Sequence, residues 1–254
     1  MRGRALTPLA QQRQAADRAG TSRHRAIVRL THWSTALCAL ALLVSGLEIV
    51  VSHPRFYWGE TGNVLTPPLF SIPIPSSRAT VPTGYKYVLP DANGWSRYLH
   101  FEAAWALVLT SVVYALWGFV SGHFQRNLLP RAGDRSWRAI CRDVRNHLRR
   151  SRIADEDAGS YNLLQRVTYL FVIFALFPLL IWTGLAMSPA FDSTLPAAVS
   201  VLGGRQSART LHLVLTVSLV LFVLVHIVMV WLAGFRNRMT AMITGRVDAG
   251  QERL

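Results

Sequence analysis

Four long apolar runs divide the chain, and polar, arginine-rich segments separate them. The runs cover residues 36–51, 101–120, 163–187 and 210–236. With its flanking residues, each run approaches the roughly 20 residues that a helix needs to cross a hydrocarbon core of about 30 Å. We therefore expect an all-α membrane protein built as a bundle of four transmembrane helices. The predicted spans are about 25–51, 97–120, 161–187 and 208–235.

The distribution of basic residues predicts the orientation of this bundle. Of the 27 Lys and Arg residues, the segments 1–29, 121–166 and 236–254 hold seven, ten and four, whereas 52–97 and 188–209 hold four and two. Cytoplasmic segments of membrane proteins carry the excess of basic residues. We expect both termini and the middle loop in the cytoplasm, and a long external loop between the first and second spans. Because topology explains the net charge of +14, nucleic-acid binding becomes a poor hypothesis.

The segments around the spans have distinct compositions. Residues 1–22 lack the apolar core of a secretory signal and predict a disordered cytoplasmic tail. Residues 23–245 form the predicted membrane domain, and 246–254 form a second cytoplasmic tail. The external loop is rich in proline and aromatic residues, which favours a folded cap or docking surface. In the middle loop, RSWRAICRDVRNHLRRS predicts an amphipathic helix on the inner leaflet.

The fourth apolar run carries two histidines fourteen residues apart, His212 and His226. At about 100° and 1.5 Å per residue, this spacing puts both imidazoles on one helix face, roughly 21 Å apart. A polar ring in a membrane span costs free energy and usually faces the bundle interior, a partner or a cofactor, so a purely structural role is disfavoured. One histidine near each membrane surface suits two cofactors, each of which needs a second ligand from another helix.

Two further histidines stand at the levels that these second ligands require. His32 follows the basic residues that open the first span inside, and His100 opens the second span outside. Topology therefore pairs His32 with His226 near the inner surface. It pairs His100 with His212 near the outer surface. One depth mismatch remains, because His226 lies about eight residues, roughly 12 Å, before the end of its span. Helix tilt or a first helix that begins near Arg25 would close this gap.

Cysteine usage and the histidine pairs indicate the kind of cofactor. Neither Cys38 nor Cys141 belongs to a C-x-x-C-H sequence, so covalently attached c-type haem is disfavoured. Iron bound by two imidazoles has no open position for a substrate and suits electron transfer. We therefore expect two non-covalent b-type haems, one for each histidine pair.

Other residues are weaker candidates for cofactor contacts. Arg97 could pair with a negatively charged haem propionate. Gly46 stands fourteen residues after His32, on nearly the same face, where a missing side chain could admit a cofactor edge or allow close helix packing. Gly118 returns to the face of His100 after eighteen residues. Three histidines are interpreted as solvated or interfacial residues without a ligand role: His53, His123 and His147.

The third span contains no histidine. Pro178 lies in its middle and predicts a kink, because proline cannot donate the helical hydrogen bond. We interpret this span as structural.

Three sequence motifs indicate a resemblance to a known protein family. The first span opens with R-L-T-H-W, the second begins with a histidine, and the last contains H-x13-H. Over about residues 23–245 the chain resembles the prokaryotic cytochrome b561-like membrane cytochromes b of thiosulfate reductase, formate dehydrogenase (gamma subunit) and nickel–iron hydrogenase. The H-P-R-F-Y-W-G sequence and the proline-rich external loop most resemble the thiosulfate-reductase type. The family's four haem ligands correspond to His32, His100, His212 and His226.

This resemblance implies a multi-pass protein of the bacterial inner membrane that exchanges electrons between the quinone pool and an external redox partner. Because partners of the thiosulfate-reductase type include molybdopterin oxidoreductases, we expect a periplasmic, molybdopterin-dependent subunit. A quinone site is expected near the inner haem and residues 25–29. The direction of electron flow stays open.

Two other functions stay open from the sequence. The first is a free-standing cytochrome b561 that acts on a small molecule without a catalytic partner. The second is a histidine-lined metal transporter or a redox-inactive anchor. Acidic residues are scarce in the spans, which weakens an ion pathway.

Overall fold

Four membrane-length helices dominate the structure, a computed structural model that describes residues 25–63, 65–73, 92–129, 163–232 and 234–245. The four helices are Ala26–Ser52, Gly94–Val120, Gln165–Ala186 and Arg205–Leu232. The prediction of an all-α, four-span membrane bundle is confirmed. Both predicted tails, the amphipathic helix of the middle loop with His147, and part of the external loop lie outside the described residues. The orientation of the bundle stays a prediction.

The secondary structure contains short elements besides the spans. In chain order the elements are α1 (Ala26–Ser52), β1 (Arg55–Phe56), β2 (Phe70–Ser71), α2 (Ala92–Val120), a π-helical turn (Phe124–Leu128), α3 (Leu163–Phe171), a π-helical segment (Val172–Leu176), α4 (Phe177–Ala186), α5 (Pro189–Thr194), α6 (Pro196–Ser200), α7 (Arg205–Leu232) and α8 (Phe235–Thr244). The third span consists of α3, the π-helical segment and α4, and the fourth is α7. The strands β1 and β2 pair antiparallel in the external loop, an element that the sequence patterns did not predict.

The spans bury small polar residues and expose large apolar ones. Leu40, Leu109 and Leu221 are 60%, 66% and 58% exposed, whereas Ser45 and Thr183 are 0% and 1% exposed. Lipid tails solvate leucine side chains well, so helices in a membrane associate through small residues and hydrogen bonds. This pattern is that of a bundle surrounded by lipid.

A large cavity separates the spans into two pairs. The first span packs along the second, and α4 packs along α7, whereas contact between α1 and α7 is slight among the described residues. The cavity has a volume of about 3590 Å³ and is lined by residues of all four spans. Pockets for single small ligands usually measure roughly 300–1,000 Å³. The bundle interior therefore has room for more than one large group.

Near Pro178, where a kink was predicted, the structure contains a π-helical segment. This segment, Val172–Leu176, lies directly before the proline, and α4 continues from there to Ala186. Proline lacks an N–H donor, and its ring crowds the carbonyl four residues earlier. The wider π turn accommodates both effects without ending the span.

The fourth span ends three residues before its predicted boundary. Gly234 follows it with a φ of 90°, a left-handed conformation that terminates helices. The next helix, α8, is attached to the start of α1. The Arg29 guanidinium donates a hydrogen bond to the Ile243 carbonyl at 3.2 Å, and the Trp33 indole N–H donates one to the Met242 carbonyl at 3.2 Å. Trp33 therefore connects α1 to α8.

The external loop caps the start of the fourth span. The Gly59 carbonyl accepts hydrogen bonds from the N–H groups of Gln206 at 3.1 Å and Ser207 at 3.2 Å. The Glu60 carboxylate accepts one from the N–H of Arg205 at 3.2 Å. The first N–H groups of a helix have no partner within the helix, and the helix dipole favours a negative charge there. The described part of the loop is therefore folded onto the start of the fourth span, and its external position stays a prediction.

Candidate haem site

The four histidines of the spans form two pairs whose members face each other across the cavity. The ring centres of His32 and His226 are 6.3 Å apart, and those of His100 and His212 are 6.4 Å apart. All four side chains line the cavity. The structure therefore brings together the same partners that the predicted topology paired.

The spacing of each pair fits one metal ion held between two imidazoles. Bonds from imidazole nitrogens to transition metals are about 2.0–2.1 Å long. In a five-membered ring with bonds of about 1.35 Å, each atom lies about 1.15 Å from the ring centre. Two imidazoles on opposite sides of one metal therefore have ring centres about 6.3 Å apart. Both histidine pairs have this separation.

The expected depth mismatch between His32 and His226 is absent. The first span begins at Ala26, so His32 is its seventh residue. The fourth span ends at Leu232, so His226 is the seventh residue from its end. Each histidine therefore lies about 9 Å from the end of its helix. The start of the first span at Ala26, next to Arg25 as one expected remedy required, and the end of the fourth span at Leu232 together remove the mismatch.

A serine of the first span holds His100. The Ser45 Oγ lies 3.0 Å from His100 Nδ1 and donates its own proton to the Ala41 carbonyl at 2.7 Å. With that proton engaged, the serine oxygen accepts a hydrogen bond from the imidazole N–H. The network thus assigns the proton of His100 to Nδ1 and leaves Nε2 with a free lone pair. This tautomer is the one that can bind a metal through Nε2.

The third span holds His212 in the same way. The Thr183 Oγ1 lies 3.0 Å from His212 Nδ1 and donates its proton to the Leu179 carbonyl at 2.7 Å. Gly184 follows, and a Cβ there would lie 3.4 Å from His212 Cε1. The interpretation of the third span as purely structural is wrong, because it positions one of the candidate ligands.

The two predicted glycines have different surroundings. A Cβ on Gly46 would lie 3.5 Å from His100 Cε1, so this glycine faces a candidate ligand. A side chain on Gly118 would collide with the ring of Phe124, which packs against it. Contact of either glycine with a cofactor stays a prediction.

Aromatic rings surround the His32–His226 pair. The Trp33 ring lies edge-on to His32 at 5.3 Å, and Phe222 stacks on His226 at 5.9 Å between ring centres. Tyr169 lies 6.4 Å from His226. The buried Nδ1 of His32 has no hydrogen-bond partner among the residues that the structure describes. The environments of the two pairs therefore differ.

Basic side chains line the cavity near the other pair. These are Arg97, Arg205 and Arg209, and His53 lies beside them. The Arg209 guanidinium donates a hydrogen bond to the His53 carbonyl and lies 5.0 Å from the Phe56 ring centre. Burial, and then the charges of Arg209 and Arg97, lower the pKa of His53. His53 is partly buried, so its interpretation as a solvated residue is wrong. The pairing of Arg97 with a propionate stays a prediction.

A second polar group lines the cavity beyond the end of the second span. The His123 Nδ1 lies 2.8 Å from the Asn127 Nδ2, and its ring centre lies 4.9 Å from that of Trp117. The Arg25 guanidinium lies 5.9 Å from the same indole. Burial, and then the charges of Arg25 and Arg126, lower the pKa of His123. The lowered pKa favours the neutral form of this imidazole.

The donor set suits haem better than a metal held by protein alone. Within the described ranges, no three His, Cys, Asp or Glu side chains come together as a metal-binding group. Metal sites made only of protein usually need three or four ligands. Haem iron needs only axial ligands from the protein, such as one histidine pair.

The fold and the site define a four-span membrane protein of the b-type cytochrome class. A family model described as prokaryotic cytochrome b561 matches residues 23–245, and the chain belongs to this family. It is a membrane-bound electron-transfer subunit, and b-type haem is its cofactor. The family resemblance deduced from the sequence is confirmed.

Two relatives are named as subunits of redox enzymes. A protein of Azospira oryzae, named as the protein-methionine-sulfoxide reductase subunit YedZ1, is 29% identical over 222 residues, which cover 87% of this chain and 96% of the relative. A protein of Azotobacter chroococcum, named as a Ni/Fe-hydrogenase B-type cytochrome subunit, is 25% identical over 212 residues, which cover 80% of this chain and 77% of the relative. No solved structure matches the chain.

Proposed function

We propose that the protein is a dihaem cytochrome that carries electrons across the membrane between the quinone pool and an external redox partner. The observation that supports this most is the pair of histidine couples, with ring centres 6.3 and 6.4 Å apart. Along the fourth span, His212 and His226 are separated by a rise of about 21 Å. Two centres at these levels form a path from one membrane surface towards the other. Each histidine pair would hold one haem, which would supply one-electron transfer.

The surrounding residues would orient and balance such cofactors. The tautomers assigned to His100 and His212 present Nε2 to the cavity. The three arginines near this pair supply positive charge for carboxylates at the cavity edge, where haem propionates would lie. At the His32–His226 pair, aromatic rings exclude water from the ligand side chains.

The quinone would bind beyond the His32–His226 pair, at the polar group formed by Arg25, Trp117 and His123. Arg25 offers a hydrogen-bond donor, and the neutral imidazole of His123 offers a proton acceptor at Nδ1 once the Asn127 side-chain amide, which donates to that nitrogen here, turns away. Arg29 also belongs to the predicted quinone region, but Arg25 lines the cavity and Arg29 is not among its lining residues. We therefore place the site at Arg25 and His123.

Replacing His123 with alanine is expected to slow haem reduction by quinol at least tenfold while leaving both haems bound. In the unaltered protein, the rate should fall as pH drops through the lowered pKa of His123, since only the neutral imidazole accepts a proton. This acidic limb should disappear in the variant. Stopped-flow reduction of the haems by a soluble quinol, from pH 5 to 8, measures both effects.

His53→Ala is the matched histidine control, since His53 lies beside the other pair. It should retain the rate and the acidic limb. Equal rates for His123→Ala and the unaltered protein would place the quinone elsewhere.

The redox partner would dock on the external loop. The relatives' names assign them to a reductase and a hydrogenase, and a molybdopterin-dependent subunit outside the membrane is our proposal for this chain. The Gly59 carbonyl of the loop accepts hydrogen bonds from the first N–H groups of the fourth span. His212 lies about two helical turns further along this span. The described part of the loop presents Leu65 and Leu69, which are 93% and 61% exposed. Exposed apolar side chains on a folded loop are typical of a protein interface.

Changing both Leu65 and Leu69 to serine is expected to abolish recovery of the partner without loss of haem. Neither side chain takes part in the Gly59 and Glu60 bonds to the fourth span, so the loop should remain folded. Affinity purification from the native membrane, with haem-normalised loading, measures the recovered partner. Trp58, which is also exposed, gives the matched apolar control Trp58→Ala on the anchored part of the loop. If the unaltered protein brings down no partner, the free-standing cytochrome b561 becomes the better function.

Transmembrane electron transfer can be tested in vesicles that contain the purified protein and trapped ferricyanide. Added quinol should bleach the ferricyanide faster than in protein-free vesicles. His100→Ala should reduce the rate to that background, because the path loses its second centre. A variant rate equal to that of the unaltered protein would contradict transfer through both histidine pairs.

A further inference from the structure

The same two-residue arrangement supports both members of the His100–His212 pair. In the first span, Ser45 bonds to His100 Nδ1, and the next residue, Gly46, faces the Cε1 of that ring. In the third span, Thr183 and Gly184 stand in the same relation to His212. A hydroxyl residue fixes the nitrogen, and the glycine after it leaves space for the ring.

The hydroxyl groups of Ser45 and Thr183 are held in place by burial and by hydrogen bonds. The Ser45 and Thr183 side chains are 0% and 1% exposed. Their protons are directed to the carbonyls of Ala41 and Leu179 at 2.7 Å. The hydroxyl oxygens therefore act as acceptors toward the two imidazole N–H groups. The backbone carbonyls of Leu42 and Leu180 bond to the same two imidazoles, so each hydroxyl supplies one of two acceptors.

An acceptor on the distal N–H of a coordinated imidazole increases the basicity of the ligand. A more basic ligand stabilises the higher charge of an oxidised metal. We propose that Ser45 and Thr183 are positioning residues that lower the midpoint potential of the haem bound by His100 and His212 and fix the planes of its two ligands. This inference rests on the proposed dihaem function.

The His32–His226 pair provides an internal comparison. Aromatic rings surround it, and the buried Nδ1 of His32 lacks a hydrogen-bond partner among the described residues. A change at Ser45 or Thr183 should therefore move one midpoint potential and leave the other in place.

The test uses Ser45→Ala and Thr183→Val in the purified full-length protein, with a potentiometric titration of both haems and a low-temperature electron paramagnetic resonance spectrum. Each variant should raise the midpoint potential of the haem bound by His100 and His212. At a fixed ambient potential, the reduced-to-oxidised ratio of this haem should increase about fivefold. For a one-electron couple this ratio corresponds to about 40 mV. The low-spin signal of that haem should also broaden, because the ligand planes are no longer fixed.

Two kinds of control separate hydrogen bonding from packing. Ser45→Thr and Thr183→Ser keep the hydroxyl and should restore both the potential and the sharp signal. Ser218→Ala removes an exposed hydroxyl that bonds only to the Val214 carbonyl at 3.0 Å in the same span. It should change neither haem.

The outcomes distinguish the inference from the function on which it rests. If the unaltered protein binds no haem pair, the proposed function and the inference both fail. If two haems are present and neither Ser45→Ala nor Thr183→Val moves a potential, the inference alone fails. If one of these two variants loses its haem, the other variant, together with Ser45→Thr and Thr183→Ser, still tests the inference. An unchanged midpoint potential in the remaining variant overturns the inference. A rise in the midpoint potential of one haem alone supports it.

Discussion

Replacing either His100 or His212 with alanine is expected to remove one haem, and the same haem in both variants. Their rings lie 6.4 Å apart across the cavity, so each change takes away half of the axial ligation of one iron. Each variant should therefore purify with half the haem of the unaltered protein. The remaining haem should give the same midpoint potential in both variants. Pyridine haemochrome content and a redox titration measure these two properties.

The other pair supplies the reciprocal experiment. His32→Ala and His226→Ala should both remove the second haem and match each other in the potential that remains. Three of the histidines outside the two pairs should retain both haems when replaced: His53, His123 and His147. A His100→Ala variant that loses the same haem as His226→Ala would contradict the pairing across the cavity.

Replacing Gly204 with valine is expected to detach the external loop and destabilise the protein by about 2–6 kcal/mol. Gly204 has a φ of +101°, which a β-branched residue rarely adopts. A Cβ there would also lie 2.8 Å from the backbone of Gly59, the residue that caps the fourth span. The temperature of irreversible haem loss in detergent should fall, and partner recovery should fall with it.

Gly94→Val is the matched control for this change. Gly94 lies in the first turns of the second span, and a Cβ there would meet nothing within 4 Å. This variant should retain the haem-loss temperature within a few degrees. Equal stability of the two valine variants would mean that the loop does not depend on the close approach of Gly59 to Gly204.

The sequence predicts the spans and the histidine pairing well because each depends on a long-range regularity. Crossing a bilayer requires a minimum apolar length, and the four runs satisfy it. A separation of fourteen residues places His212 and His226 on one helix face, and this placement does not depend on how the other helices pack. The charge distribution then placed His32 and His100 at opposite ends, and the structure joins each to the partner expected from this topology.

The residues that support the ligands could not be predicted in the same way. Contact between Ser45 and His100, or between Thr183 and His212, depends on the rotation and spacing of two neighbouring helices, which apolar length does not define. One signal was available: a hydroxyl residue followed by glycine occurs as S-G and as T-G in two predicted spans. The expected depth mismatch is absent because the first span begins at Ala26 and because the fourth span ends at Leu232, before the left-handed Gly234.

The haem-to-protein ratio of the purified protein tests the dihaem proposal most directly. A dithionite-reduced minus oxidised spectrum, combined with pyridine haemochrome and amino-acid analysis, should give two b-type haems per chain. A potentiometric titration of the same sample should resolve two one-electron steps. A ratio of one haem per chain, or a colourless protein from haem-replete cells, would contradict the assignment of one haem to each histidine pair.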